Sequence, residues 1–495
     1  MTTKKELNTF TGTHAVKDFM NPDNHPYIPL VEIPPSVNPF HTSGVCIFAK
    51  LMNQLPLANV KSLPAFNMLF EAEQNGTLNN VHSLIESSSG NTVLSLAVLA
   101  RIFGIPTTKA LVSHEVTEGK LQLLRLLGTS VKIIEEPICP DPNDPESGVY
   151  QARVLGEQEG WLNPGQYHNE ANPRAHEKWT GPQLWEQTGG AVSLFCAGLG
   201  TTGSLIGTSR FLKQKNPNLE SIGVVRAANN PVPGVRTEGL LSEISFDYAS
   251  VLDYVEEVGT IDSFKASLDL CRHGLLVGPS AGFAFAGLCQ FLEKNKERLD
   301  EFRGPNGEII AVFIAPDSPL PYLSEYFQFL DETHFPPIEE EELLLYKRQS
   351  SSEPAPAASP VPPGAYEITP QEAHGLMYGM PPSDVWRSLN ETGTIPLADE
   401  RLIVFDARGQ HQYDHAHLAG SEWINIYDLL HAEKPLLKRL AGKTVLLICD
   451  VGNKTAVASR VLHDKGINAL NIRGGMVEWS RLDLPRWRPD VCRAT

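Results

Sequence analysis

Runs of apolar and β-branched residues at 131–134, 192–197, 222–225 and 309–315 alternate with segments whose apolar positions recur at helical spacing, 92–103, 119–127 and 205–213. The first kind predicts buried strands and the second amphipathic helices, and their alternation predicts a parallel sheet with helices on both faces. Glycine- and serine-rich turns fall where strands give way to helices, at 87–91, 198–204 and 278–282. In open α/β sheets that edge, at the carboxyl ends of the strands, is where ligands bind. Three such turns in one unit predict one composite pocket.

The pattern breaks at 349–364, where proline, alanine and serine alternate. Such a stretch buries no core, and proline stiffens it into an extended spacer. An acidic run at 339–342 precedes it and reads as a solvated face or tail. The chain is therefore divided into residues 1–335, an acidic and then Pro/Ala/Ser-rich linker at 336–365, and a smaller unit at 366–495. In the smaller unit, strands are expected at 402–405 and 444–448, the latter followed by a turn and a helix from Thr455.

Length and composition narrow this picture only slightly. At roughly 150 residues per domain, 495 residues suggest about three units. With 58 acidic against 41 basic side chains and a net charge of −17, the chain lacks the basic footprint of a nucleic-acid binder. Small anionic ligands are not excluded, because local sites hold them. Residues 1–18 contain no apolar stretch like that of a signal peptide, and no run of eighteen apolar residues predicts a membrane span. Cysteines at 46, 139, 196, 271, 289, 449 and 492 form no CxxC pair. That spacing suits neither a disulfide framework nor a zinc cluster, so no metal is expected and a reducing, cytoplasmic compartment is.

The turns carry candidate chemistry. Gly200-Thr201-Thr202-Gly203-Ser204 lets backbone N–H groups converge on an anion beside a helix N-terminus. Lacking a GK[ST] ending, it suits one small phosphate and not a nucleotide. Glu86-Ser87-Ser88-Ser89-Gly90-Asn91-Thr92 offers hydroxyls and amides for a carboxylate, although Ser89 or Asn91 could equally cap the helix. Gly278-Pro279-Ser280-Ala281-Gly282 projects a serine from a turn at the same edge.

In order and spacing, ESSSGNT, GTTGS and GPSAG resemble the motifs of fold-type II pyridoxal-phosphate enzymes, specifically the cysteine synthase and cystathionine β-synthase family. The stretch 166–190, QYHNEANPRAHEKWTGPQLWEQTGG, is similar to that family's most recognisable segment. Residues 38–63 resemble the part that places the Schiff-base lysine, here Lys61, and Ala315-Pro316-Asp317-Ser318 resembles the motif after the last strand. The resemblance covers roughly residues 35–330. It implies a two-lobed α/β fold with parallel-type sheets flanked by helices, the cofactor pyridoxal 5'-phosphate and a homodimer. It assigns Lys61 to hold the cofactor and move the substrate α-proton, a pair of tasks suited to a lysine with a lowered pKa. Gly200, Thr201, Thr202, Gly203 and Ser204 would bind the phosphate, Asn91 the ring oxygen, and Ser280 would face the pyridine nitrogen. A neutral hydroxyl there makes the ring a modest electron sink, suited to β-elimination through an aminoacrylate. Ser88, Ser89, Thr92 and Gln166 would hold the substrate carboxylate. The chain departs from the family at the phosphate loop, Thr-Thr where Thr-Gly-Gly is typical, and around Lys61, where Leu57 to Leu63 replaces the usual flanks.

In the smaller unit, Asp406-Ala407-Arg408, His417 to Gly420, the Cys449 loop and Arg473 to Trp479 together resemble a single rhodanese domain, itself a small α/β fold. The loop is Cys449, Asp450, Val451, Gly452, Asn453 and Lys454, with Lys454 where the family commonly has arginine. Such a loop aims backbone N–H groups at the sulfur beside a helix N-terminus, which favours a thiolate and would stabilise a persulfide. Joined, the two resemblances imply a bifunctional enzyme of sulfur amino-acid metabolism. A β-elimination or β-replacement on a serine- or cysteine-type amino acid would be coupled to persulfide transfer. The alternatives are a cysteine desulfhydrase or β-cyanoalanine synthase, a serine/threonine dehydratase, and a non-catalytic scaffold with a sulfur-relay module.

Overall fold

The computed structural model describes residues 8–88, 90–114, 116–135, 144–304, 306–338 and 366–488. Ser89, Cys139, Cys492, the acidic run at 339–342 and the Pro/Ala/Ser stretch lie outside them. The chain divides into two compact units, Met1–Ile338 and Glu339–Thr495.

Two sheets build the first unit. The larger has six strands in the order Leu30–Glu32, Val45–Leu51, Ile309–Ala315, Val192–Gly198, Glu220–Arg226 and Tyr254–Val258. Only the edge pairing between Leu30–Glu32 and Val45–Leu51 is antiparallel. The smaller sheet is parallel throughout and runs Ser130–Ile134, Thr107–Ser113, Ser83–Ser87, Trp161–Leu162. Ile309–Ala315 shows why continuous apolar runs mark this architecture. Its alternate residues enter different cores, Val312 and Ile314 on one side and Ala311, Phe313 and Ala315 on the other. A central strand covered on both faces has no polar side to show.

The two lobes and their flanking helices match the expected fold class, with local differences at the helix starts. Ser280 does not project from a turn but lies in the first turn of the helix Pro279–Lys294, whose Pro279 sets a helical φ at the entry position. The helix expected at 205–213 runs Gly203–Lys215. Within 171–187, a π-helical turn at His176–Thr180 joins two α-helical pieces.

The second unit is a five-stranded parallel sheet in the order Glu367–Ile368, Asn468–Ile472, Thr444–Ile448, Leu402–Asp406, Glu422–Trp423. Its central strands again split between two cores: Val404, Leu446 and Ile448 on one face, Ile403, Phe405, Val445 and Leu447 on the other. The helix after Cys449 begins at Asn453, two residues before its expected start, because Gly452 turns the chain with φ 88°. Among the described residues no helix is long and apolar enough to cross a membrane.

Candidate active sites

Lys61 immediately precedes the helix Ser62–Gln74. The preceding turn is pinned to the end of the central strand: Val60 N–H donates to Pro316 O at 2.7 Å, and Asn59 pairs with Asp317. Asn59 Oδ1 also accepts from Lys61 N–H at 2.9 Å and from the Ser95 hydroxyl at 3.1 Å. The lysine amine is thus delivered into a pocket at the carboxyl ends of the strands, 3.5 Å from Thr201 Oγ1. Burial pulls its pKa down to about 8, an effect that the charge of Asp317 partly opposes.

The same pocket is lined by Gly200, Thr201, Thr202 and Ser204 from one turn and by Ser88, Asn91 and Thr92 from another, with Gln166 and Ser280 completing it. Gly203 does not line it. It starts the helix Gly203–Lys215, and a Cβ there would lie 2.2 Å from Asn172 Oδ1. Its place in the expected phosphate set is therefore to let that helix pack closely. Ser89 lies outside the described residues.

The phosphate loop fits the cofactor on its own geometry. Thr202 has φ +64°, its residue is 2% exposed, and its hydroxyl is buried in the pocket wall with no hydrogen-bond partner. Gly200 passes so near the neighbouring segment that a Cβ would fall 2.1 Å from Gly234 O. An unmet hydroxyl, a glycine-tight loop and a helix N-terminus facing one lysine suit a phosphorylated aldehyde.

The remaining expected residues meet through side-chain bonds. Thr92 Oγ1 donates to Gln166 Oε1 at 2.6 Å, and Asn172 Nδ2 donates to both Gln166 O at 2.8 Å and Thr201 Oγ1 at 3.1 Å. Asn91 does not cap its helix, since the cap residue is Gly90 and Asn91 Nδ2 donates to Asp317 Oδ2 at 2.6 Å. Asp317 also accepts from the Tyr322 hydroxyl at 2.5 Å. Burial raises the Asp317 carboxyl, while Tyr322, Asn91 and the ammonium groups of Lys120 and Lys61 pull it the other way. His176, in the π-helical turn, is driven to about 3 by burial and then by the charge of Lys61, so it stands neutral beside the site.

Sequence reasoning left Lys120, Tyr167, Arg236 and Tyr322 out of this pocket. Tyr167 adjoins Gln166 inside a stretch already singled out, and Tyr322 follows the Asp317 motif by five residues, so nearness to a motif could have found both. Lys120 and Arg236 carry no local signal.

In the second unit Cys449 follows the strand Thr444–Ile448 and is 1% exposed. Its carbonyl accepts from Met476 N–H at 2.8 Å and that of Asp450 from Val477 N–H at 3.0 Å, both at the start of the helix Gly475–Arg481. Because trans peptides set N–H opposite the preceding C=O, the amides of Asp450 and Val451 point away from that helix. Asp450 Oδ1 is held by Gln412 Nε2 at 2.9 Å. Val451, Asn453 and Lys454 are exposed, and Gly452 is buried. Arg408 forms a two-pronged pair with the fully buried Asp406, at 3.0 and 2.7 Å, so it braces the domain.

A buried lysine, a hydroxyl-rich turn and Ser280 meet at the ends of parallel strands, and the chain belongs to a known class: a profile of the pyridoxal-phosphate dependent enzymes matches residues 24–302. A rhodanese-like domain profile matches residues 389–482. Among curated relatives, cysteine synthase B of Escherichia coli is 29% identical over 265 residues, covering 52% of this chain and 83% of the relative. The cysteine synthase of Aquifex aeolicus is 30% identical, covering 60% and 88% respectively. The O-acetylserine dependent cystathionine β-synthase of Bacillus subtilis is 31% identical, covering 57% and 89%. Of solved structures, a hydrogen sulfide-producing enzyme of Fusobacterium nucleatum superposes with TM-score 0.51 at 25% identity, over 60% of this chain and 95% of that one. The chain is a cysteine synthase-like pyridoxal-phosphate enzyme of fold type II with a rhodanese-like domain.

Proposed function

We propose that the first unit performs β-elimination or β-replacement on a serine- or cysteine-type amino acid, and that the second carries sulfane sulfur on Cys449. The observation that carries the first half is the convergence of the Lys61 amine, the unmet Thr202 hydroxyl and Ser280 on one pocket. Pyridoxal phosphate, when bound, supplies the electron sink for charge at the substrate α-carbon. Thr201, Thr202 and Ser204, with the loop amides, would hold its phosphate, and Asn91 and Ser280 its ring. An amine brought to about 8 by burial gives and takes a proton readily near neutral pH, so Lys61 can remove the α-proton and return it. Ser88, Thr92, Gln166 and, from its place in the motif, Ser89 would orient the substrate carboxylate. Two of the curated relatives are named cysteine synthase, which favours sulfide or a thiol as the incoming nucleophile. We assign the catalytic unit to residues 1–335, the linker to 336–365 and the sulfur-carrying unit to 366–495, in a homodimer of the cytoplasm.

Borohydride reduction followed by peptide mapping tests the assignment of Lys61: a pyridoxyl mass is expected on the peptide that carries it. A protein purified without any pyridoxal, or labelled elsewhere, overturns the reading. O-acetylserine, O-phosphoserine, serine and cysteine, each supplied with sulfide, identify the substrate by its product. Release of pyruvate alone would assign the unit to elimination. For the second unit, Cys449→Ala should abolish thiosulfate:cyanide sulfur transfer and leave the visible spectrum of the bound cofactor intact.

A further inference from the structure

The hydroxyl of Thr455 has one proton and three acceptors within reach. It lies 2.7 Å from Asn471 Oδ1, 3.2 Å from the Cys449 sulfur and 3.3 Å from Gly452 O, the longest of the three, and Thr455, Asn471 and Cys449 are all buried. The ends of the Asn471 amide are not interchangeable: Nδ2 faces Glu367 Oε1 at 3.3 Å, and a carboxylate only accepts. With Oδ1 thereby turned to Thr455, the shorter contact takes the hydroxyl proton, and a protonated Cys449 donates its S–H to the threonine oxygen. Charge on the sulfur reverses this. An anionic acceptor draws the stronger hydrogen bond, so the hydroxyl proton turns from Asn471 to Sγ.

We propose that Thr455 is a catalytic residue of the sulfur-carrying site and that Asn471, oriented by Glu367, is a positioning residue that sets how much of the hydroxyl the sulfur receives. This rests on the reading of Cys449 as the sulfur carrier. In loading, the Cys449 thiolate attacks the sulfane sulfur of thiosulfate; the Sγ–S bond forms, the S–S bond of the donor breaks, and sulfite leaves with the electron pair. In unloading onto cyanide, a carbon–sulfur bond forms and the Sγ–S bond breaks, returning its electron pair to Sγ as thiolate. No proton, oxidant or reductant is consumed in either step. Sγ bears the charge at both ends of the cycle, and there the Thr455 hydroxyl donates to it. The charged groups around the site are Asp450 and Lys454 on the loop, the Asp406–Arg408 pair, Glu478 paired with Arg481, and Glu367 with Arg473 at 3.8 Å. Thr455 is the side chain whose hydrogen bond reaches the sulfur.

The test is the pH dependence of Cys449 alkylation by iodoacetamide in the full chain, resolved by peptide mass spectrometry. Thr455→Val should raise the midpoint by about one pH unit, an approximately tenfold slower reaction at neutral pH, since a hydrogen bond to a charged group is worth roughly that much. Thr455→Ser should restore it. Asn471→Leu removes the nearest rival acceptor, leaving only the longer contact to Gly452 O, and should move the midpoint the opposite way, which a loss of packing alone would not do. Glu367→Gln, at the half-buried edge of the sheet, leaves the core untouched and frees Asn471 to turn Nδ2 to Thr455, so the midpoint should again fall. An unchanged midpoint in Thr455→Val overturns the catalytic role, and an unchanged or raised midpoint in Glu367→Gln overturns the positioning role. Sulfur transfer that survives Cys449→Ala would instead sink the carrier reading, and the alkylation midpoints remain readable either way.

Discussion

Thr202 is a β-branched residue in the left-handed region of backbone space, at φ +64° and ψ −9°. For such a residue that conformation costs on the order of 1–2 kcal/mol. Its hydroxyl is spent neither on capping its helix nor on any other partner. Strain and an unmet donor at one position make sense together if the hydroxyl is kept for the phosphate. Thr202→Gly should weaken pyridoxal-phosphate binding by about ten- to a hundredfold, the worth of a hydrogen bond to a charged group. The apoprotein should become no less stable, because relief of strain offsets the extra chain entropy of glycine. Thr202→Ser should bind nearly as the wild type does. Titration of apoprotein with the cofactor, beside urea unfolding, reads both effects. The motif was legible in the sequence because glycine turns have a local signature. The strain was not, since a left-handed φ at a threonine leaves no mark on composition or periodicity.

At the scale of elements, one side chain fixes how the N-terminal arm meets the large sheet. Lys50 lies in the central part of the sheet, fully buried, and its amine donates to Ile28 O at 2.7 Å, Gln183 Oε1 at 2.9 Å and Gln187 Oε1 at 2.7 Å. It thereby ties the segment before Leu30–Glu32 to the helix Gly181–Gln187. Three acceptors match the three protons of an ammonium, yet burial without a carboxylate lowers its pKa to about 7. In an unfolded chain the value is ~10.4. Between these the folded state binds fewer protons than the unfolded one, so stability rises with pH through that window. For the cofactor-loaded enzyme, in which Lys61 is engaged, urea unfolding should show a gain of about 2 kcal/mol between pH 7 and pH 9. Lys50→Met should remove most of that gain and, by leaving acceptors unmet, cost on the order of 1–3 kcal/mol at pH 9. An unaltered pH slope in the variant would show that the amine does not titrate there. Periodicity could not reveal Lys50. A lysine within an apolar run looks like a polar break in a strand, and what buries it is distant in sequence: Leu30 and Ile314 pair with it on either side, and Gln183 and Gln187 meet its amine.

Across the whole molecule, the strand-to-helix alternation made both α/β units legible, while the pocket depends on topology. Lys61, Ser88, Gln166, Thr202 and Ser280 are scattered through some 220 residues and meet because parallel strands deliver their carboxyl ends to one edge. Nothing in the composition near Lys120 or Arg236 signals that delivery. The fusion of two sulfur-related units raises a question of rate. Residues 349–364, rich in proline, alanine and serine, lie between the two in one covalent chain. A tether makes the second encounter intramolecular, at effective concentrations of roughly millimolar. If sulfur loaded on Cys449 feeds the Lys61 site, then with labelled thiosulfate, a thiol reductant and the amino-acid substrate, wild-type label incorporation per chain should not change on dilution. A mixture of full-length Lys61→Ala and Cys449→Ala chains must pass sulfur between molecules, so its rate per chain should fall in proportion to concentration. Were the mixture to match the wild type at every dilution, sulfur would be moving through free solution and the covalent link would confer no kinetic coupling.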